Sequence, residues 1–206
     1  QVKDLVERLR AGENSSMILL AGGPHATGDP RRTLEIGFDL VIRGEGEVTL
    51  IEFLQKINNR EDYRDIQGIS YRDEYGNDVF TGMREPLNID HYSPVSGYFS
   101  KLGPIEITRG CPFGCGYCQV SHLFGKKPRQ RSIENILDCM NVLKSRGASY
   151  YRFVSPDAFA YGSEDGKAIN YEKLDSLLSA ARNLVGKEGE IFFGSFPSEV
   201  RPEHVN

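Results

Sequence analysis

Long apolar runs are missing from this chain. No stretch of its 206 residues approaches the ~20 apolar residues that span a membrane. The start, Gln1-Val-Lys-Asp4, carries no signal-peptide pattern and no initiator Met. An excess of one charge is missing too: 25 Lys and Arg stand against 29 Asp and Glu, a net charge of −4. There is thus no overall electrostatic footprint for nucleic acid, and neither nucleic acid nor membrane is expected as a partner. Cysteine is scarce, with four residues, and the chain has neither a second CxxC nor an HxxxH. Structural zinc usually draws four ligands from two separated pairs, and no such framework is visible. Disulfides are not expected, because close cysteines without a secretory segment point to a reducing compartment, the cytoplasm.

What is present is organised around Cys111-Pro-Phe-Gly-Cys115-Gly-Tyr-Cys118. This stretch sets three thiols at C-x3-C-x2-C spacing in a loop after an expected strand, 104–108. Thiolates so close call for a soft metal or a redox partner. Iron–sulfur clusters take Cys ligands from short Gly/Pro-rich loops, and three thiolates on four irons leave one iron open. Two alternatives from other classes remain: a cluster-carrying electron-transfer or redox-sensing protein, and a zinc-stabilised interaction domain.

The rest of the chain alternates helix and strand, the pattern of an α/β fold. Composition is that of an ordinary globular protein, 39% hydrophobic and 26% charged. Residues 17–21 and 38–42 read as buried parallel strands ending in Gly22-Gly23-Pro24 and Gly44-Glu-Gly46-Glu47. Asp29-Pro30 and Gly37 bracket a short helix. A helix after Glu47 should carry Leu50, Phe53, Leu54 and Ile57 on one inward face. Residues 69–72 and 78–81 read as a hairpin within a linker, in which Tyr92, Tyr98 and Phe99 are packing anchors. Ser132 and Asn170 cap two amphipathic helices ended by Gly147 and Gly186. Cys139, inside the first of them, reads as a small buried hydrophobe. Lys126, Lys127, Arg129 and Arg131 form a basic cluster, read as a solvated loop that could also steer an anionic substrate or acidic electron donor.

The cysteine loop, with Tyr117 just before its last Cys, resembles that of the radical S-adenosylmethionine (radical SAM) enzymes. The stretches 20–27 and 37–47 resemble the latter part of the cobalamin-binding domain that precedes many radical SAM domains. The resemblance implies a partial Rossmann-like cobalamin-binding domain over 1–60, a hairpin and linker over 61–103, and three βα units of a partial radical SAM barrel over 104–206. It implies that Cys111, Cys115 and Cys118 hold a [4Fe–4S] cluster. In that family, the open iron chelates S-adenosylmethionine, and one electron cleaves it to a 5′-deoxyadenosyl radical.

By position, Tyr117, Ser155, Pro156, Asp157, Ser195 and Glu199 would contact S-adenosylmethionine, although a Ser-Pro-Asp stands where the family shows Gly-Gly-Glu. Gly22, Gly23, Pro24, His25, Thr27, Gly44, Glu45 and Gly46 would face cobalamin. The histidine motif of cobalamin domains lies earlier than this stretch, so His25 is read as a loop residue facing solvent. Methyl transfer, or a rearrangement, on an unidentified substrate is the implied chemistry, with ferredoxin or flavodoxin as electron donor. The chain is expected to be an internal piece of a longer protein and inactive alone.

Overall fold

The computed structural model describes residues 1–12, 16–98, 103–194, 200 and 202. It divides into two compact units, Gln1–Leu87 and Asn88–Asn206.

In the first unit, helix α1 (Val2–Ala11) buries Val6. Its Arg10 donates to the carbonyls of Met17 at 2.8 Å and Gly37 at 2.9 Å, and pairs with Asp39. Strand β1 (Leu20–Ala21) runs parallel to β2 (Leu40–Ile42). Between them lie α2 (Gly23–Gly28) and α3 (Pro30–Ile36). Asp29 caps α3 by accepting from Arg32 N at 3.1 Å, and Gly37 closes it in the left-handed conformation.

The hairpin β3 (Ile69–Arg72) and β4 (Asp78–Phe80) is not a linker. β3 pairs antiparallel with β2, so the sheet runs β1-β2-β3-β4 and is mixed. Its buried Ile69 packs with Leu40, Ile42, Phe53 and Ile66, which is why the hairpin belongs to this core.

Helix α4 (Glu47–Asn59) also departs from the expected face. It buries Thr49 and Phe53, while Leu50, Leu54 and Ile57 are exposed. Two contacts fix its rotation. Phe53 meets the Tyr63 ring edge-on at 5.1 Å, and Thr49 Oγ1 accepts from Arg84 Nε at 2.8 Å. Leu54 lies one residue, about 100° around the helix, from Phe53 and is carried outward.

In the second unit, β5 (Ile105–Glu106), β8 (Tyr150–Val154) and β9 (Glu190–Phe192) form a parallel sheet in that order. Helices α6 (Ile133–Lys144) and α7 (Tyr171–Val185) supply the crossovers, giving βαβαβ. Ser132 and Asn170 cap them, accepting from Asn135 N at 3.2 Å and Lys173 N at 3.1 Å. Ile105, Ile107, Ile136, Met140, Phe153 and Leu177 are fully buried in one continuous core, and Cys139 is buried with them. Tyr98, expected as a packing anchor, is 98% exposed, and Phe99 lies outside the described residues. A helix long and apolar enough to cross a membrane does not occur among the described residues.

Candidate metal centre and cofactor sites

The expected strand 104–108 is split. After β5 the chain turns into β6 (Thr108–Arg109), which pairs antiparallel with β7 (Arg129–Gln130). The cysteine loop and the short helix α5 (Val120–Phe124) are therefore an excursion closed at its base by a two-stranded clasp. The approach is tight. Cys111 N donates to Gly125 O at 3.1 Å, and a Cβ on Gly110 would sit 2.5 Å from the carbonyl oxygen of Lys127. Only glycine fits there, also because its φ is +88°. Arg109 makes a two-pronged contact with the Glu106 carboxylate, at 2.7–3.2 Å, and lies over the Phe124 ring.

The three thiols differ. Cys111 is half-buried and Cys115 is exposed on the outer turn. Cys118 N donates to Cys115 O at 3.0 Å, so these two share a turn. Burial, the largest influence, raises the Cys111 thiol above its ordinary value, a hydrogen bond from the Phe113 backbone opposes it, and Cys118, Cys115 and Asp157 add to the rise. Both other thiols thus lie within electrostatic reach of Cys111. Among the described residues, however, no three His, Cys, Asp or Glu side chains already form a closed metal cage. Three soft donors on one loop match an iron–sulfur cluster in kind and number, with closure around it still required.

Asp157 comes to the same place. It lines one small cavity with Thr108, Cys111 and Pro112. Asp157 Oδ1 accepts from Phe159 N at 3.1 Å and Ser155 Oγ donates to Asp157 O at 2.9 Å, so both also shape the turn after β8. Tyr117 is exposed. Ser195 and Glu199 lie outside the described residues.

Sequence reasoning missed two features here. Thr108 is buried with its hydroxyl unpartnered. The basic cluster is not a solvated loop as a whole. Lys126 and Lys127 are exposed, but Arg131 is only 1% exposed. It donates to the carbonyls of Ile89 at 2.6 Å, Glu106 at 2.9 Å and Tyr92 at 3.1 Å, and to Asn135 Oδ1 at 2.8 Å. Arg129 is half-buried and donates to Phe124 O at 3.0 Å. Carbonyl-rich loop ends attract guanidinium groups, with their five donors, out of solvent.

In the first unit the two glycine motifs meet. Thr27 Oγ1 accepts from Gly44 N at 3.1 Å, which ties α2 to the turn after β2. Gly22 and Gly23 sit at the carboxyl end of β1, and a Cβ on Gly23 would meet nothing within 4 Å. The bare backbone and open space there fit a bulky ligand at a strand end. Pro24 and His25 are exposed, and His25 lies in α2 rather than in a loop. A proline in the first turn pre-sets helical φ, which the sequence reading passed over. Glu45 accepts from Leu87 N at 3.2 Å, and a Cβ on Gly46 would touch Ile42 at 3.3 Å.

Residues 1–54 match the B12 binding domain and residues 105–206 the Radical SAM superfamily. The chain is 30% identical over 152 residues to the uncharacterized methyltransferase PH0819 of Pyrococcus horikoshii, covering 67% of this chain and 33% of that protein. It is 25% identical over 166 residues to cytidylyl-2-hydroxyethylphosphonate methyltransferase of Streptomyces wedmorensis, covering 61% and 31%. It spans about a third of the length of these curated relatives. Among solved structures, the fold is similar to the radical S-adenosylmethionine methyltransferase TsrM of Kitasatospora setae. The TM-score is 0.64 at 18% identity, covering 88% of this chain and 36% of that one. The cobalamin-dependent radical enzyme OxsB gives a TM-score of 0.60 at 24% identity, covering 76% and 23%. The cofactors of these two domains are a [4Fe–4S] cluster, S-adenosylmethionine and cobalamin. The chain belongs to the radical SAM superfamily of enzymes, with a B12-binding domain ahead of its radical SAM domain.

Proposed function

We propose that this chain carries the cluster-binding and cobalamin-facing parts of a methyl-transferring radical SAM enzyme. The observation that carries the reading is the loop of three cysteines at the carboxyl end of a parallel strand, in a chain that opens with a B12-binding domain. Bound there, the cluster supplies the electron that cleaves S-adenosylmethionine, and cobalamin supplies a carrier for the methyl group. The chain's own residues have simpler tasks. Cys111, Cys115 and Cys118 ligate, the β6–β7 clasp holds the base of their loop, and Asp157 offers a carboxylate beside Cys111 for the amino group of S-adenosylmethionine. Tyr117 offers its backbone to the adenine, and Ser155 and Pro156 hold Asp157 in place. Ser195 and Glu199 are proposed as further contacts by sequence position alone. Gly22, Gly23, Pro24, His25 and Thr27, with Gly44, Glu45 and Gly46, form the face offered to cobalamin. The names of the relatives support methyl transfer as the reaction.

An acidic carrier such as ferredoxin or flavodoxin is proposed as the electron donor. Lys126 and Lys127 are exposed beside Gly110, and Lys167 Nζ stands 5.9 Å from the Phe113 ring. Cations at the rim of the loop favour an anionic partner and make encounter salt-dependent.

Anaerobic reconstitution with iron and sulfide tests the reading. Iron and labile sulfide should bind to the wild-type chain and to Cys139→Ser, and be lost in Cys111→Ser, Cys115→Ser and Cys118→Ser. S-adenosylmethionine should change the electron paramagnetic resonance spectrum of the reduced cluster. A cluster blind to S-adenosylmethionine would leave an electron carrier, and tight zinc without sulfide would leave an interaction domain.

A further inference from the structure

The loop after β8 does more than lead into α7. Within residues 161–168, Asp165 Oδ1 accepts from Lys167 N at 2.8 Å, Ala168 N at 3.0 Å and the Ser163 hydroxyl at 2.8 Å. That hydroxyl accepts from Gly166 N at 3.1 Å. From outside the loop, Gln130 Nε2 on β7 donates to Ser163 O at 2.7 Å, and Asn170 Nδ2 donates to Gly162 O at 3.0 Å. Both ends and the middle are therefore fixed, and Ser163 and Gly166 are buried.

This seating carries the Gly166 backbone between two prolines. Its φ is +68°, and a Cβ there would lie 2.8 Å from Pro128 Cγ and 3.0 Å from Pro112 Cδ. Proline ring atoms have no rotamer into which to withdraw. Pro112 directly follows Cys111, and Cys111, Pro112, Pro128 and Gly166 line one cavity of about 10 Å³. The support stops there. A Cβ on Gly114 or Gly116 would meet nothing within 4 Å, and Cys115 is exposed.

We propose that residues 161–168 are a strut that fixes Cys111 before the cluster arrives, leaving Cys115 and Cys118 to close on it, with Gly166 as the positioning residue. The asymmetry follows from the contacts. Cys111 adjoins a packed wall, Cys115 stands exposed on an open turn, and Cys118, half-buried, is tied to Cys115 through its backbone N–H. The strut rests on the cluster reading above, but its effect on Cys111 exists in the cluster-free protein as well.

Two readouts test it. In cluster-free protein, iodoacetamide should label Cys115 faster than Cys111, followed by peptide mass analysis. Gly166→Ala should raise Cys111 labelling about fivefold, as the inserted methyl forces Pro112 aside. In reconstituted protein, the same variant should lose iron to a chelator about tenfold faster and broaden the spectrum of the reduced cluster. Gly147→Ala is the control. Its φ is +84°, so it carries the same backbone strain, yet a Cβ there meets nothing within 4 Å. It should change neither readout. If Gly166→Ala fails to fold, Ser163→Ala removes the hydroxyl that holds Gly166 N and should shift both readouts in the same direction by a smaller factor. Wild-type protection of Cys111 in these variants overturns the strut. Failure of the wild-type chain to take up iron and sulfide overturns the cluster reading instead, and labelling still decides the strut.

Discussion

The two units hold themselves together differently. The second has one continuous core, in which Ile105, Ile107, Phe153, Ile136, Met140 and Leu177 join the sheet to both crossover helices. The first splits its apolar burial into two small groups, one around Leu40, Phe53 and Ile69 and one around Ala26, Leu34 and Val41. It leans instead on polar ties: Arg10 to Asp39, Arg84 to Glu52 and to Thr49. Such ties fix geometry more than they add stability, because each group also loses its water. Packing carries the sheet from which the cysteine loop departs, and polar connections, Thr27 to Gly44 among them, join the glycine turns of the first unit.

The sharpest test of this contrast is the exception inside the second unit, Arg131. Its guanidinium reaches three backbone carbonyls and Asn135 in a site almost closed to solvent. Tyr161 donates back to Arg131 O at 2.8 Å, and burial raises the Tyr161 hydroxyl far above its ordinary value, so it stays a donor. Arg131→Met keeps the volume and strands the carbonyls of Ile89, Tyr92 and Glu106. A loss of about 4 kcal/mol is expected, read by native-state hydrogen exchange in α6 and β8. An unchanged second unit would mean that water replaces the guanidinium, and that packing alone suffices.

Phe53 is the corresponding point in the first unit. It packs against Tyr63 and is the largest buried side chain of its small core. Phe53→Ala should remove about 3 kcal/mol, seen as early exchange of β2 and β3 with β8 unaffected. Loss of protection in both units together would show that they unfold as one.

These two residues also mark how far the sequence could be read. Caps were legible: Asp29, Ser132 and Asn170 act on amides three residues ahead, and their side chains name the role. The cysteine loop was legible for the same reason, since its chemistry lies within eight residues. Arg131 was not, because its carbonyl partners lie 25 to 42 residues away. The role of Gly166 was not legible either, because the two prolines against it, Pro112 and Pro128, lie far back in the chain. The face of α4 was misread because helical periodicity cannot say which of two adjacent apolar stripes finds a partner.

A smaller effect separates the strut from the core behind it. Donation from Ala168 N, Lys167 N and the Ser163 hydroxyl lowers the Asp165 carboxyl from 3.8 to about 2. A carboxyl lowered on folding stabilises the native state at pH above its unfolded value. That contribution is lost as pH falls from about 4 toward 2. Acid unfolding of the second unit should therefore steepen over this window, and Asp165→Asn should flatten it. Identical acid profiles would remove Asp165 from the forces that hold the strut.

The smallest effect is expected on α4, and it bears most directly on the comparison. Leu54 is 55% exposed, with Leu50 and Ile57 beside it on the same outer stripe. An apolar side chain that stays in water in both folded and unfolded states has little transfer free energy to lose. Leu54→Gln also keeps a good helix former in place, so stability should move by less than about 0.5 kcal/mol. Leu177→Gln, on the buried face of α7, should by contrast unfold the second unit, since it sets an unpaired amide into the core. Parallel thermal melts of the two variants decide the matter. A large loss at Leu54 would show that the outer stripe of α4 is covered in solution, and the apparent thinness of the first unit's core would then belong to its surface rather than to its folding.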